Sequence, residues 1–342
     1  MGNESNESNA ARIALTDLRR LATQLQLPDS VVNDGLSAAE CLPLNIPVSL
    51  LDRMTNGNPN DPVLLQILPR NNELTAVPGF ICDPLAESKQ AQSGVLQKYD
   101  YRVLVLTTST CIAQCRYCFR RHHKETNTLF PVPAGQSLDD RLNSFFDPIR
   151  ENRSIREIIL SGGDPMTVQP DDFKKLLYYI KTLPYVNRVR IHTRAPILDP
   201  QYLGPSWCDF FTQWSVSSSE NRAQTLFMVF QINHPQEIND QVVALFERLT
   251  RCNIVLLSQT VLLRGVNDSA DILFDLFEKL SQNRVLPYYL HQLDRVEGAA
   301  AFEVNEETGR EIIRELRRRL SGYAVPRYVR EIPGESNKVV LE

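Results

Sequence analysis

Long hydrophobic runs are missing from this sequence of 342 residues. No apolar stretch approaches the roughly 18 residues that a membrane-spanning helix needs, so we predict no membrane span. A net positive charge is missing as well, since the formal charge is -4 at pH 7. We therefore expect no broad basic surface for nucleic acid, and we interpret the arginines at 317–319 as the solvated face of a helix.

A secretory signal is also missing, because the opening MGNESNESNA lacks the basic and apolar regions of a signal peptide. We expect disorder only over about this stretch. Cysteine is scarce and odd in number, at seven residues, which argues against a disulfide framework in a chain long enough to bury a large core. Free thiols indicate a reducing compartment, so we predict a cytoplasmic protein.

Three of the cysteines stand close together in TSTCIAQCRYCFRRHH, as Cys111, Cys115 and Cys118. This C-x3-C-x2-C spacing supplies three thiolates on a loop after an apolar stretch. A four-iron cube held by three cysteines has one iron open to a small molecule. The alternatives are a zinc site completed by His122 or His123, although the spacing is unusual for one, and a chance arrangement, which is rare at this cysteine content.

Six short apolar stretches follow position 102, and each ends in polar or glycine residues. They are RVLVLTTST from Arg102, REIILSGGDP from Arg156, RVRIHTRAP from Arg188, TLFMVFQINH from Thr225, NIVLLSQTVLL from Asn253 and VLPYYLHQLD from Val285. Segments of helical composition lie between them, at 170–182, 235–251 and 270–282. Strand alternating with helix predicts an α/β protein with a parallel sheet, and six such units predict a partial (β/α)6 barrel.

The N-terminal part has a different pattern. The leucines within 16–27 predict a short amphipathic helix, 48–54 predicts another turn or two, and NGNPNDP at 56–62 predicts a turn. We therefore predict three regions. They are an N-terminal helical extension at 1–95, a partial barrel at 96–300, and a C-terminal segment with a helix at 301–342.

Polar side chains collect at the carboxyl ends of the predicted strands. Besides the cysteines they are Ser161, Gly162, Gly163, Asp164, His192, Arg194, Asn233, His234, Gln259 and Asp294. Any one of them alone is read as an ordinary loop or core residue. Because the loops at these ends of a barrel converge on one mouth, the whole set predicts a shared site. The glycines of SGGDP would let backbone amides approach a charged ligand.

These motifs resemble those of the radical S-adenosylmethionine enzymes, with Tyr117 as the aromatic of the cysteine loop. In that family S-adenosylmethionine chelates the open iron of a [4Fe-4S] cluster, and electron transfer releases a 5'-deoxyadenosyl radical. SGGDP resembles the motif that holds the amino group of this cofactor, with Asp164 in the acidic place. Ser161, Gly162, Gly163, Gln259 and His192 match positions that line the cofactor site.

Ordered matches over 46–338 resemble one subfamily, the lysine 2,3-aminomutases. They are NPNDPV, PGF, DPL, KYDYRVLVLTTSTCIAQCRYCFRR, SGGDP, NHPQE, QTVLLRGVND, PYYLHQLD, SGYAVP and PGESNK. The resemblance implies an isomerase that converts L-α-lysine to β-lysine with pyridoxal 5'-phosphate held on Lys338. The loop before this lysine is nearly all glycine in the family, whereas here it reads ESN, a departure that concerns the loop geometry more than the lysine itself.

The same resemblance implies the phosphate-binding residues of the pyridoxal site. They are Lys98, Tyr99 and Arg102, with Lys98 in place of an arginine, which keeps the charge but loses the bidentate fork.

The substrate-binding residues follow in the same way. Arg120 matches the arginine that pairs with the substrate carboxylate. Asp294 and Glu331 match two aspartates that hold the ε-ammonium of lysine. Because two acids would repel an anionic side chain such as that of glutamate, lysine is the expected substrate.

The physiological role follows from HQLDRVEGAAAF at 291–302 and from the short stretch after Lys338. Both resemble the bacterial enzyme that supplies β-lysine for modification of elongation factor P. The alternatives are a catabolic aminomutase, a radical enzyme or electron carrier without pyridoxal phosphate, and a cluster-stabilised binding protein.

We expect lysine, a reductase or flavodoxin-like electron donor and the elongation factor P ligase pathway as partners, and a homo-oligomer. Cys41, Cys82, Cys208 and Cys252 are expected to be small buried core residues.

Overall fold

The computed structural model describes residues 14–88, 93–122, 127–215 and 224–342. The N-terminal MGNESNESNA, where disorder is predicted, lies outside these residues, as does His123, one of the two histidines considered as a zinc ligand. No helix among the described residues is long and apolar enough to cross a membrane.

One nine-stranded sheet organises the described chain, beside a small two-stranded sheet near the N-terminus. The strands are β1 Ala14–Leu15, β2 Ile46–Pro47, β3 Val95–Tyr99, β4 Arg102–Thr108, β5 Glu157–Gly162, β6 Arg188–Thr193, β7 Thr225–Gln231, β8 Val255–Val261, β9 Leu286–His291, β10 Arg327–Arg330 and β11 Val339–Val340. Neighbours from β4 to β10 run parallel, and β3 and β11 close the two edges antiparallel. The edges do not pair with each other, so the sheet is an open, partial barrel, as predicted.

Helices follow most of the parallel strands. These are α4 Leu138–Glu151, α5 Pro170–Lys181, α6 Ala195–Leu198, α7 Pro205–Ser215, α8 Asp240–Thr250, α9 Ala270–Gln282 and α10 Glu306–Arg319. Before the sheet come α1 Leu18–Gln24, α2 Asp29–Cys41 and α3 Pro62–Leu65. α9 shows why they form. Ser269 caps the first turn of this helix by accepting from Ile272 N, and the helix buries Leu273, Leu276 and Leu280 along one face. Helices α4 to α10 share one apolar core with the sheet, whereas α1 to α3 pack in a separate cluster.

The six predicted strands are confirmed, and so is the helix at 270–282, which is α9. The segment at 235–251 becomes helical only at Asp240, after a 3-10 turn at Pro235–Glu237. Residues 48–53 form a 3-10 helix, and α2 is a helix that the sequence pattern does not predict. The arginines at 317–319 lie on the exposed face at the end of α10, as predicted. The division into 1–95, 96–300 and 301–342 stays a prediction.

The four remaining cysteines do not share one environment. Cys252 is buried and Cys208 is half-buried, but Cys41 and Cys82 are exposed. The expectation that all four are buried core residues is therefore wrong for Cys41 and Cys82. Cys41 ends α2 at the surface, and Cys82 follows Ile81, which bridges to Val296 outside the main sheet.

Candidate active site

A cavity of about 590 Å³ follows the inner face of the sheet to the carboxyl ends of its strands. All the residues to which the family resemblance assigns a binding or catalytic role line this cavity. They are Lys98, Tyr99, Arg102, Cys111, Cys115, Tyr117, Cys118, Arg120, Ser161, Gly162, Gly163, Asp164, His192, Gln259, Asp294, Glu331 and Lys338. The prediction of the shared site is wrong for Asn233 and His234, which do not line the cavity: the amides of both donate to the Glu237 carboxylate instead.

The cysteine loop is tied to the N-terminal extension by a buried ion pair. Arg116 is fully buried and donates through Nε and Nη2 to the carboxylate of Glu73, at 2.8 and 2.7 Å. Its Nη1 donates to the carbonyl of Leu42 at 2.7 Å. Arg121 adds a second guanidinium to Glu73 at 2.7 Å. The conformation of the loop therefore depends on Glu73 and Arg121, which no sequence motif singles out.

Burial raises the pKa of the Cys111 thiol well above its ordinary value. Burial, followed by the neighbouring Cys115, raises the pKa of Cys118 to about 11. Metal binding must therefore remove protons from these thiols. A single ion requires ligand atoms that all lie close together, within 4.8 Å of one another. Among the described residues, the sulfurs of Cys111, Cys115 and Cys118 do not form such a group. An iron-sulfur cube takes each cysteine at a separate corner, so the donor set fits a cube better than zinc.

Arg194 supplies a fixed positive charge beside the cysteine loop. Its Nη1 donates to Cys115 Sγ at 2.8 Å and to Tyr117 Oη at 2.9 Å. Its Nη2 donates to Glu237 at 2.9 Å and to Gln66 at 2.6 Å. Because Glu237 and Gln66 are also buried, the guanidinium is held in one orientation. Arg194 can therefore stabilise the negative charge of a Cys115 thiolate.

The glycines of SGGDP serve close packing of two backbones. A Cβ on Gly162, whose φ is +116°, would lie 2.5 Å from the carbonyl oxygen of Thr108, and one on Gly163 would lie 2.4 Å from that of Thr110. The amides of Gly163 and Asp164 donate to these same two carbonyls. The expectation that amides of this motif are free for a ligand is therefore wrong for these two, because the cysteine loop already accepts from them.

Asp164 is buried and already has several partners. Its carboxylate accepts from Thr193 Oγ1 at 2.6 Å and from the amides of Met166, Arg194 and Ala195 at 2.7 to 3.0 Å. Burial raises the pKa of this carboxyl, although the hydrogen bonds oppose the shift. A ligand amine would have to share oxygens that join the ends of β5 and β6. The role of Asp164 in cofactor binding stays a prediction.

Five charged side chains alternate in sign across the cavity, and we call them the ion-pair chain: Arg120, Glu87, Lys98, Glu331 and Lys338. Glu87 accepts from Arg120 Nε at 2.8 Å and lies 2.8 Å from Lys98 Nζ. Lys98 Nζ lies 2.6 Å from Glu331, which also pairs with Lys338. Glu87 was not selected from the sequence, yet its side chain is only 3% exposed between two cations.

The two acids Glu331 and Asp294 have very different pKa values. Burial alone would raise the pKa of Glu331, but Lys338 and Lys98 outweigh it and bring this pKa down to about 2. Burial and then the Glu331 carboxylate raise the pKa of Asp294 to about 7. Glu331 is therefore charged at neutral pH, while Asp294 is divided between acid and carboxylate. The two acids together offer a partner for a cationic group.

Three buried polar atoms of the cavity wall have no hydrogen-bond partner among the described residues: Arg102 Nε, His192 Nε2 and Arg194 Nε. The Arg102 guanidinium lies over the Tyr99 ring, 4.5 Å from its centroid. Burial, then Arg190, lowers the pKa of His192 well below its ordinary value, so the imidazole is neutral. Since unpaired buried groups are rare in proteins, these atoms fit a polar or anionic group bound beside them.

Lys338 reaches the cavity through the register of the sheet edge. β11 pairs with β10 so that Val339 lies opposite Arg330, which brings Lys338 beside Glu331. Its side chain is 23% exposed. The ESN residues before it, where the family has glycines, lie in an exposed turn. The substitution therefore leaves Lys338 at the cavity wall.

Comparison with known proteins gives consistent results. A family model described as a 4Fe-4S single cluster domain matches residues 100–193. The chain is 36% identical over 338 residues to L-lysine 2,3-aminomutase of Haemophilus influenzae, covering 98% of this chain and 96% of that protein. It is 37% identical over 308 residues to that of Escherichia coli K12, covering 90% and 86%. For that of Clostridium subterminale, identity is 33% over 296 residues, covering 85% of this chain and 66% of that protein.

Proposed function

Because the chain belongs to the L-lysine 2,3-aminomutase family, we propose that it is an isomerase that moves the amino group of L-lysine from the α- to the β-carbon. One observation carries the proposal: three cysteines, Lys338 and charged groups for both ends of a lysine molecule line a single cavity. Neither an electron carrier nor a binding protein would need this combination of residues.

Different residues of the cavity wall would hold the cluster, S-adenosylmethionine and pyridoxal phosphate. Cys111, Cys115 and Cys118 would hold a [4Fe-4S] cluster, and Ser161, His192 and Gln259 would line S-adenosylmethionine. Lys338 would hold pyridoxal phosphate, and Lys98, Tyr99 and Arg102 would bind its phosphate. When bound, these cofactors supply a carbon radical that removes a substrate hydrogen and a conjugated ring that delocalises the unpaired electron.

Arg120 is suited to the substrate carboxylate. Glu87 accepts from its Nε and Nη2, at 2.8 and 3.2 Å, and so fixes the plane of the guanidinium. Nη1 makes only longer contacts, to Ser161 Oγ at 3.2 Å and the Gly162 carbonyl at 3.3 Å. Nη1 and Nη2 can therefore donate to the two oxygens of a carboxylate as a bidentate pair.

Asp294 and Glu331 would bind the other end of the substrate. An ε-ammonium placed beside them stabilises the carboxylate form of Asp294, whose pKa of about 7 leaves it partly protonated beforehand. Glutamate or another amino acid with an acidic side chain would face repulsion from Glu331. Substrate choice thus depends on the charge of the side chain.

The test is an anaerobic assay of protein with a full complement of cluster and pyridoxal phosphate, given a reductant, S-adenosylmethionine and L-lysine. β-Lysine should form, and L-glutamate should give no product. Cys115→Ala should lose both cluster and turnover. The absence of product from fully loaded protein would sink the proposal.

We propose further that the β-lysine serves the modification of elongation factor P, which HQLDRVEGAAAF at 291–302 supports by resemblance. Deleting the gene should leave elongation factor P without its β-lysyl group while growth on lysine is unchanged. Loss of lysine fermentation with intact elongation factor P would instead indicate a catabolic role. The electron donor, the homo-oligomeric state and the cytoplasmic location stay predictions.

A further inference from the structure

A second group of metal-ligand side chains lies at the surface, outside the cavity: Cys82, His122 and Glu297. One ligand atom from each, a thiol sulfur, a ring nitrogen and a carboxylate oxygen, lies within 4.8 Å of the other two. Cys82 Sγ is 3.1 Å from Glu297 Oε2, and His122 Nε2 is 3.1 Å from the Glu297 carbonyl oxygen. Three chemically different donor atoms therefore lie close enough together to bind one ion.

Backbone pairing holds this group together. Ile81 N donates to the Arg295 carbonyl at 3.0 Å, and Glu297 N donates to the Ile81 carbonyl at 3.1 Å. Cys82 and Glu297 are thus neighbours because two main chains pair as a parallel bridge between Ile81 and Val296. The contact is a product of the fold rather than of two long side chains meeting in solvent.

We propose that Cys82, His122 and Glu297 bind a divalent transition metal, with Zn²⁺ as the best match, at a site separate from the three-cysteine loop. Thiolate, imidazole and carboxylate are the donor types that zinc takes in proteins. Three protein ligands leave one tetrahedral position for water. The metal takes the place of the proton that the Cys82 thiol donates to Glu297.

The site joins three segments that also carry residues of the cavity wall. Cys82 precedes Glu87 by five residues, His122 follows Arg120 by two, and Glu297 follows Asp294 by three. A bound metal would fix these segments relative to one another, because each segment supplies one of its ligands. The proposal does not depend on the reaction proposed above, because none of the three ligands lines the cavity.

The experiment is a zinc titration of protein with a full iron-sulfur cluster, so that the cysteine loop is already occupied. Competition against a fluorescent zinc chelator gives the affinity, and X-ray absorption at the zinc edge gives the ligands. We expect one zinc per chain with a single sulfur at about 2.3 Å and otherwise nitrogen or oxygen ligands.

Cys82→Ser and Glu297→Gln should each weaken zinc binding by more than about tenfold, since even loss of a group that only supports a metal ligand costs that much. Cys41→Ser is the matched control, because Cys41 is also exposed but belongs to no such group among the described residues. Its affinity should equal that of the unaltered protein. Equal affinity in Cys82→Ser, a spectrum with three sulfurs, or no bound zinc would each overturn the proposal.

Discussion

Lys338 and Glu331 form an ion pair at the antiparallel edge of the sheet, where β11 turns back along β10. Glu331 is the acid expected to bind the ε-ammonium of the substrate, and an internal ammonium, that of Lys338, already pairs with it. Lys98 binds the other oxygen of the same carboxylate. Ligand binding therefore exchanges partners within the ion-pair chain instead of filling a neutral space.

Glu331→Gln should raise the KM for lysine. The amide keeps the shape but loses the charge, and a hydrogen bond to a charged group contributes about 1.5–3 kcal/mol, or roughly ten- to a hundredfold. Glu331→Asp, which restores the family's usual acid, should remain within a few-fold of the unaltered protein. Steady-state kinetics of the two variants provide the check, and equal KM values for both would contradict the role of the charge.

Asp294 should give the reaction a pH dependence. Because its pKa is raised to about 7, kcat/KM for lysine should fall as the pH drops through about 7 and the carboxylate is protonated. Asp294→Asn should lower kcat/KM and remove this inflection. A profile with the same inflection in Asp294→Asn would show that another group is responsible.

The same pKa predicts a trend in stability. The folded protein binds this proton more tightly than the unfolded chain, so the contribution of Asp294 is full below the ordinary pKa of 3.8 and is lost as the pH rises towards about 7. Urea unfolding of the unaltered protein and of Asp294→Asn should diverge over that window, with Asp294→Asn relatively more stable at pH 8. Parallel curves would contradict the assignment.

Glu87→Gln should reduce both binding and stability. The change leaves Arg120 and Lys98 without the carboxylate between them, and breaking a buried ion pair costs up to about 3–5 kcal/mol, less here because Lys98 is 22% exposed. We expect a higher KM for lysine with a smaller change in kcat, because the guanidinium of Arg120 loses its orientation. Unchanged KM alongside lower stability would limit Glu87 to a structural role.

Arg116 and Glu73 should control assembly of the cluster. Arg116→Met leaves a buried carboxylate with Arg121 alone, so iron per chain should drop after reconstitution. The double variant Arg116→Met with Glu73→Leu removes both buried charges and should be less unstable than the sum of the single changes predicts. Iron analysis and unfolding measurements give the result, and strict additivity would show that the pair is not coupled.

Lys338 should be the residue that carries pyridoxal phosphate. Borohydride reduction of protein loaded with pyridoxal phosphate should label the peptide that contains Lys338, as mass spectrometry would show. Lys98→Ala should weaken pyridoxal binding but leave the labelled position unchanged, because Lys98 is expected at the phosphate. Label on Lys98 in the unaltered protein would reverse the two roles.

The strands were predictable because each is an apolar run that ends in glycine or polar residues, and β5 in REIILSGGDP is an example. β10 and β11 were not, since RYVR is short and half charged and β11 has two residues. Helix α2 contains Gly35, which ordinarily weakens a helix. A Cβ there would lie 2.6 Å from the Pro69 carbonyl oxygen, so packing explains a residue that helix propensity argues against.

The candidate site also contains residues that the sequence can predict and residues that it cannot. Motifs within one loop, such as the three cysteines and SGGDP, can be found from spacing. Glu87 and Glu73 cannot, because they meet Arg120 and Arg116 from 33 and 43 residues away and stand in polar segments without a motif. Their selection requires knowledge of which loops the sheet brings together.

Transfer of the amino group within one lysine molecule is best measured by NMR on L-lysine labelled with ¹⁵N at the α-amino group. The fully loaded enzyme, under anaerobic conditions, should give β-lysine in which the ¹⁵N is bonded to the β-carbon and none is lost to a pool of unlabelled ammonia. Label that stays on the α-carbon, or that exchanges with added ammonia, would contradict an aminomutase.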